Sequence, residues 1–234
     1  MKMRLPMQFG AAAMVALTAC AAAAQPPAAA TAPVAASAAS IARGKILVTT
    51  CAFCHGMEDY TVPYPTQHVP LIGGQHEAYA LSALDEYAKG KRHFATMHAQ
   101  AASLTQGQIE DIAAYIASVA PTGVTANTGP TYGAPSVGSI AAAAVFSRAP
   151  VAAASCVACH GKHGVSTNPE FPTLAGQYQD YLLQALKEYK TGERKNAIMN
   201  GVAASLSLAD MKQLAAYFAK QHGPLKLLPK AGPD

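Results

Sequence analysis

The chain has 234 residues, a formal net charge of +4 and a hydrophobic fraction of 51%, which excludes a disordered protein. Only 7% of the residues are aromatic and none is Trp, so large core-filling side chains are scarce. Lys2 and Arg4 precede a short apolar run from Phe9 to Ala19, which predicts a signal peptide over residues 1–19. Removing those two positive charges lowers the net charge to +2, which gives no electrostatic support for nucleic-acid binding.

The predicted signal peptide ends in "LTAC", Leu17 to Cys20, which resembles the lipobox of bacterial lipoproteins. The resemblance implies that Cys20 is lipidated and becomes the first residue of the mature chain. The alternative is that Cys20 is incidental and that an ordinary signal peptidase cuts within Ala21 to Gln25. Residues 20–40 are rich in Ala and Pro and carry no charge, which is the composition of a linker. We expect them to tether the following domain to the membrane if Cys20 is lipidated.

From residue 41 onward the chain repeats itself. "CAFCHG" matches "CVACHG" at an offset of 105, and later segments match at an offset of 102, so the first repeat carries three extra loop residues. The sequence therefore predicts a first domain at 41–120, a Gly/Pro/Thr-rich linker at 121–139, a second domain at 140–222 and a C-terminal tail at 223–234.

Apolar residues in both repeats follow helical spacing, as in Leu81, Leu84 and Tyr87, and no sustained period-two pattern is present. We therefore predict an all-α fold of two tandem domains. Ser103 and Ser205 stand before the last helix of each repeat, where a capping residue is expected.

Each repeat contains C-x-x-C-H, namely Cys51, Cys54 and His55, and then Cys156, Cys159 and His160. A zinc site would pair two such motifs closer together, and a thioredoxin-like site would need a βαβ setting. A disulfide would not require the histidine. Covalent c-type haem attachment explains all three residues, with the cysteines as thioethers and the histidine as an iron ligand. The sequence predicts two such haems, and their apolar bulk offsets the weak core.

The sixth iron ligand distinguishes an electron carrier from an enzyme, because an open position admits a small substrate. Met97 and Met199 occupy matching positions after the two haem motifs, and we expect them to be the axial ligands. The competing candidates either lack a partner in the other repeat or lie where a ligand is not expected, and we interpret them as packed or solvated: His68, His76, His93, His98, His163, Met57 and Met211.

These motifs, together with "PLIGGQ"/"PTLAGQ", "YAKGKR"/"YKTGER" and "DIAAYIA"/"QLAAYFA", resemble the dihaem cytochrome c4 family of tandem class I cytochromes c. The resemblance implies that the carbonyls of Pro70 and Pro172 accept from the proximal histidines and that Arg92 and Arg194 approach haem propionates.

The resemblance also implies a periplasmic electron carrier that is not an enzyme. It would work between a quinol-oxidising complex or dehydrogenase and a terminal oxidase or reductase. Two alternatives stay open: a subunit of a dehydrogenase complex, such as a flavocytochrome sulfide dehydrogenase, and a dihaem peroxidase.

Two features depart from the family pattern, and the lipobox and tether also go beyond a plain soluble carrier. The first is the long first loop, "GMEDYTVPYPTQHVP", and the second is Pro150 in the segment before the second haem motif; we expect both to affect how the domains pack. Charge is also uneven between the repeats, because residues 41–120 carry a net −2 and residues 140–222 a net +3. We expect this asymmetry to orient docking through the second domain toward an acidic partner.

Overall fold

The computed structural model describes residues 36–119 and 153–230. The predicted signal peptide, Cys20, the linker at 121–139 and Pro150 lie outside these residues. The elements, in chain order, are α1 (Ala38–Leu47), α2 (Ala52–His55), β1 (Thr61–Pro63), β2 (Thr66–His68), α3 (Glu77–Ala88), α4 (Ala95–Ala101), α5 (Gln106–Ser118), α6 (Ala153–His160), α7 (Gln179–Thr191), α8 (Ala197–Ser205) and α9 (Leu208–Ala219). Within the described residues, no helix has the length and hydrophobicity needed to cross a membrane.

In the first repeat, α5 is the central helix and packs against both α1 and α3. Ile112 and Ile116 of α5 are buried beside Val48 and Ala52, as the helical spacing predicts. Helices α1 and α5 approach closely at Gly44, where a Cβ would lie 2.0 Å from the backbone oxygen of Asp111. A side chain at position 44 would therefore force these two helices apart.

The second repeat has the same arrangement, with α9 packed against α7 and α7 packed against α8. Met211, Leu214 and Phe218 of α9 are each no more than 3% exposed and share a core cluster with Leu182 of α7. The prediction that Met211 is a core residue is therefore confirmed. The all-α class is confirmed too, with one addition in the first repeat.

That addition is a short antiparallel hairpin, β1–β2, formed within the longer first loop. Three-residue strands were too short for the period-two pattern to reveal them. The hairpin contacts the second repeat, because Asp180 at the start of α7 accepts from the His68 backbone N–H at 3.0 Å. The prediction that this loop affects domain packing agrees with that contact.

The prediction for the helix caps is wrong by two residues. The N-cap of α5 is Thr105 and that of α9 is Ser207, and both form capping boxes, with Gln108 and Asp210 respectively. Ser103 and Ser205 instead donate to carbonyls three residues earlier, at the ends of the preceding helices. Serine at a helix end satisfies a free carbonyl as well as it caps a start, so the sequence alone favoured the wrong position.

The two repeats meet through a reciprocal pair of glutamines. Gln75 accepts from the Thr173 N–H at 2.9 Å and donates to the Thr173 carbonyl at 3.1 Å. Gln177 makes the same two bonds with Leu71, at 3.0 and 2.9 Å. Since both pairs are buried, they fix the relative position of the two repeats.

The segment after α9, expected to be a tail, returns to the first repeat. Leu225 is 4% exposed and packs with Leu71 and Tyr178, and Leu228 is 2% exposed within the core of the first repeat. The sequence "GPLKLLPK" has no apolar periodicity that would predict its packing against the first repeat.

Candidate functional site

Each C-x-x-C-H motif lies at the end of a helix that delivers its histidine to the interior. α2 ends at His55 and α6 ends at His160, and both histidines are 7% exposed. The four cysteines of the motifs, all within the described residues, form no disulfide. Burial raises the pKa of the Cys51 and Cys156 thiols, so both are protonated at neutral pH. Two cysteine thiols beside a histidine are the groups that thioether attachment of a haem requires.

The two motif histidines make equivalent hydrogen bonds through Nδ1 to a proline carbonyl. His55 Nδ1 lies 2.8 Å from the Pro70 oxygen, and His160 Nδ1 lies 3.0 Å from the Pro172 oxygen. Because a carbonyl can only accept, Nδ1 carries the proton in each ring. Burial lowers the pKa of both histidines, against the opposing effect of the proline carbonyl, and so both rings are neutral. Nε2 therefore keeps a free lone pair, which is the form that binds a metal.

A cavity of about 370 Å³ opens beside the second motif. Its wall contains His160, Cys156 and Cys159 together with Met199, so the structure brings these predicted residues together. Met199 is the third residue of α8, and Met97 is the third residue of α4. Both methionines are half-buried. Met97 thus has the same place in the first repeat that Met199 has in the second.

Arg92 and Arg194 are 4% exposed and lie where the two repeats meet. Their backbones form an antiparallel bridge, in which the His93 N–H donates to the Glu193 oxygen at 3.1 Å and the Lys195 N–H donates to the Lys91 oxygen at 3.0 Å. Both side chains also line the cavity. The sequence predicted each arginine for its own haem, whereas the structure places the pair together.

Four tyrosines surround the two guanidinium groups. Arg92 lies 5.3 Å from the ring centre of Tyr79 and 5.4 Å from that of Tyr87. Arg194 lies 5.8 Å from Tyr181 and 5.2 Å from Tyr189. Burial alone lowers the pKa of each arginine, but interaction with the tyrosines more than offsets it, so both pKa values are raised. Both groups are therefore buried cations.

The two arginines differ in how their carboxylate partners satisfy them. Arg92 Nε donates to Glu86 at 2.5 Å. Arg194 Nε lies 3.4 Å from Glu188 in an ion pair, but the geometry is not that of a hydrogen bond, and this buried N–H has no acceptor among the residues that the structure describes. A buried cation with a free donor on the wall of an apolar cavity fits the carboxylate of a haem propionate. The residues present therefore fit the haem that the motif implies.

Sequence reasoning missed Tyr79, Tyr181, Gln75 and Gln177 as parts of the site. The repeat contained the signal, because both tyrosines and both glutamines match at the offset of 102. An aligned pair in a duplicated chain marks a shared role, but the sequence did not show that these pairs face each other across an interface.

The rejected candidates have other roles. His68 Nδ1 lies 2.7 Å from Asp180, and His76 Nε2 lies 3.0 Å from the Ser166 oxygen, so both connect the two repeats. His98 contacts the carbonyl of Tyr87, and Asn200, its match, donates to that of Tyr189. Asn200 therefore makes in the second repeat the carbonyl contact that His98 makes in the first, so a histidine is not required at this position.

Comparison with known proteins agrees with this geometry. The family model for Cytochrome c matches residues 41–120 and again residues 148–221. Two tandem domains, each with a buried histidine next to a pair of cysteines that form no disulfide, define a dihaem c-type cytochrome. The chain belongs to the cytochrome c family and, within it, to the dihaem cytochrome c4 family, with two covalently bound c-type haems.

Three similar proteins illustrate the relationship. Cytochrome c-552 of Acidithiobacillus ferridurans is 31% identical, over 72% of this chain and 72% of its own. The thiosulfate dehydrogenase electron acceptor of Stutzerimonas stutzeri is 31% identical, over 72% of this chain and 77% of its own. The structure of cytochrome c4 from Acidithiobacillus ferrooxidans has a TM-score of 0.55 and 30% identity, and covers 74% of this chain and 99% of its own. The protein is accordingly an electron-transfer protein rather than an enzyme.

Proposed function

We propose that this protein carries electrons in the periplasm and that a histidine and a methionine hold each iron. The ligand pairs are His55 with Met97 and His160 with Met199, and the thioethers form at Cys51, Cys54, Cys156 and Cys159. The observation that carries this proposal is the cavity whose wall includes His160, both cysteines of its motif and Met199. The matching place of Met97 extends the proposal to the first repeat.

Each bound haem supplies a one-electron couple between Fe(II) and Fe(III). The chain's own residues adjust that couple. Pro70 and Pro172 accept the Nδ1 proton, which orients each imidazole and makes its free Nε2 more basic. The sulfur atoms of Met97 and Met199 would hold the irons together with the histidines, which would raise the potential and leave no position for a substrate. Arg92 and Arg194 balance propionate charge in a site from which water is largely excluded.

The proposed location follows from the leader. A signal peptide over residues 1–19 would export the chain, and lipidation of Cys20 would leave the haem domains attached to the membrane through the tether at 20–40. The mass of the mature N-terminal peptide tests this part, because a diacylglyceryl cysteine and an unmodified N-terminus differ by the mass of the lipid. The upstream donor would be a quinol-oxidising complex or a dehydrogenase, and the acceptor a terminal oxidase or another reductase.

A second candidate is an electron-transfer subunit of a dehydrogenase complex, with a permanent partner in place of transient ones. The relative named as a thiosulfate dehydrogenase electron acceptor favours a dehydrogenase as the donor. Purification from the native membrane distinguishes the two candidates. A carrier elutes alone, whereas a subunit elutes with stoichiometric amounts of a second polypeptide.

The ligand assignment is tested by the optical spectrum of the purified, reduced protein with and without carbon monoxide. An unchanged spectrum is expected, because two strong sixth ligands leave no open iron position. A shift equal to half of the total haem would contradict the assignment of Met97 or Met199, and a shift of all the haem would contradict both.

A further inference from the structure

Residues 223–230, which we name the C-terminal strap, leave the second repeat and run along the first. The strap begins at Gly223, where a Cβ would lie 2.5 Å from the Ala175 oxygen, so it departs in close contact with the second repeat. Pro224 and Pro229 flank the residues between them and favour an extended backbone there. Leu225 then packs on Leu71 at the junction of the two repeats.

The strap bonds both sides of the His55–Pro70 contact. The Leu228 N–H donates to the backbone oxygen of His55 at 2.9 Å. Two residues earlier, Lys226 pairs with Gly73 through two backbone hydrogen bonds, at 2.8 and 3.0 Å. Gly73 lies three residues after Pro70, whose oxygen accepts from His55 Nδ1. The strap therefore bonds the histidine backbone at Leu228 and the loop that carries its acceptor at Lys226.

The packing around these bonds is close. Leu228 is 2% exposed in the core of the first repeat. A Cβ at Gly56 would lie 2.7 Å from the Leu228 oxygen, and one at Gly73 would lie 3.1 Å from the Lys226 oxygen. The two glycines give the strap the room that it needs on either side of the contact.

In the second repeat, the position that corresponds to the strap contact is occupied by residues of that repeat. Gly161 corresponds to Gly56, and a Cβ there would meet the backbone oxygen of Val165 at 2.1 Å, within the same loop. The proximal side of His160 is therefore closed locally, whereas that of His55 is closed by the end of the chain.

We propose that the C-terminal strap is a positioning element for the proximal ligand of the first haem, with the Leu228 N–H and the Lys226–Gly73 pair as its points of attachment. The proposal rests on the assignment of His55 as an iron ligand. By fixing the histidine backbone and the Pro70 loop together, the strap keeps the Nδ1–H bond short. It thereby sets the basicity of the first proximal histidine without affecting the second.

The test compares Leu228→Pro, which removes the donor, with Leu228→Ala, which removes the side chain and keeps the donor. Both are made in the full-length haem-loaded protein. The measurement is solvent exchange of the His55 and His160 Nδ1 protons by NMR in the reduced state. Leu228→Pro should accelerate exchange at His55 by about tenfold or more and leave His160 unchanged. Leu228→Ala should lower the melting temperature yet keep exchange at His55 near the wild-type rate.

A redox titration gives a second readout that a purely structural role would not move. The first haem's potential should rise in Leu228→Pro, because a less basic histidine favours Fe(II), while the second potential stays constant. The two waves are assigned with Met97→Ala and Met199→Ala. Where Leu228→Pro fails to accumulate, Lys226→Pro removes the N–H that donates to Gly73 and serves the same comparison with Lys226→Ala.

Three results would overturn the proposal: unchanged exchange at His55 in the proline variants, equal acceleration at both histidines, or an identical effect of Leu228→Ala. A wrong assignment of His55 as a ligand appears separately, in the wild-type protein. Its Nδ1 proton would then lack the ring-current shift of a haem-bound imidazole before any substitution is made.

Discussion

The two repeats have the same buried contacts beside the attachment motif and differ in exposed residues within and after that motif. Both have the His–Pro contact, a buried arginine between tyrosines and a methionine at the third position of a helix. Within the motif, however, Phe53 is 70% exposed in the first repeat, where the second has Ala158. Glu58 and Asp59 follow the first motif, and Lys162 follows the second. The two repeats therefore share the buried residues beside the motif and differ in the size and charge of the side chains within and after it.

The repeats also differ in how they are supported. The second closes the back of its histidine with its own loop, while the first depends on the C-terminal strap and sends a hairpin to α7. The surroundings of His55 thus include residues from outside the first repeat. A substitution that changes the reduction potential or stability of one repeat alone would therefore show which of these structural differences affects it.

The largest expected effect comes from removing the axial methionines one at a time. Met97→Ala and Met199→Ala should each lower one of the two reduction potentials by roughly a few hundred millivolts, within the ~0.8 V range that axial ligands set. Each variant should also bind carbon monoxide at half of the haem, because one iron position opens. Spectroelectrochemical titration and the carbon monoxide difference spectrum measure the two effects.

Met57→Ala is the matched control, since Met57 is half-buried and close to the first motif but was rejected as a ligand. It should change neither the potentials nor carbon monoxide binding. A Met97→Ala protein that still excludes carbon monoxide would show that the first haem has another sixth ligand. The two repeats would then not use matching ligands.

An effect of intermediate size is expected at the reciprocal glutamines. Gln75→Ala leaves the N–H and the carbonyl of Thr173 buried without partners, and Gln177→Ala does the same to Leu71. Each substitution should lower the free energy of unfolding by about 2–3 kcal/mol. Because the contacts mirror each other, the two losses should agree, as measured by chemical denaturation.

The exposed Gln106, which contacts Glu110, provides the control. Gln106→Ala should change stability by no more than about 0.5 kcal/mol. Unequal losses at Gln75 and Gln177 would indicate that the repeats do not share the interface evenly.

The sequence predicted most of the site but little of the interface. His55, His160 and their cysteines come from a short motif whose chemistry needs fixed spacing, so the local pattern was sufficient. The proline carbonyls came from the resemblance to the cytochrome c4 family. The pairing of Arg92 with Arg194 and the path of Leu228 depend on how the two repeats pack. Tertiary contact between distant segments leaves no periodic trace, and "GPLKLLPK" has the composition of any exposed tail. The β1–β2 hairpin was missed because its strands have three residues each.

The smallest expected effect concerns the capping boxes of α5 and α9. Both use a hydroxyl N-cap, but the third residue is neutral Gln108 in the first repeat and Asp210 in the second. Thr105→Ala and Ser207→Ala should each cost about 1 kcal/mol. The bonds from Ser207 lower the pKa of Asp210, so its contribution to stability is present above the unfolded pKa and is lost as pH falls through the folded one.

Replacing Asp210 with Gln should therefore make the second cap insensitive to acid. The melting temperature of the wild type relative to Asp210→Gln should fall between neutral pH and about pH 3, where an aspartate protonates. Gln108→Asp should transfer the same acid sensitivity to the first repeat. The first repeat already contains one acid-sensitive carboxylate, because Arg43 and Ser40 lower the pKa of Asp111. The acid sensitivity of Gln108→Asp must therefore be compared with that of the wild type, which already includes the contribution of Asp111. Equal pH profiles for wild type and Asp210→Gln would mean that Ser207 alone caps α9.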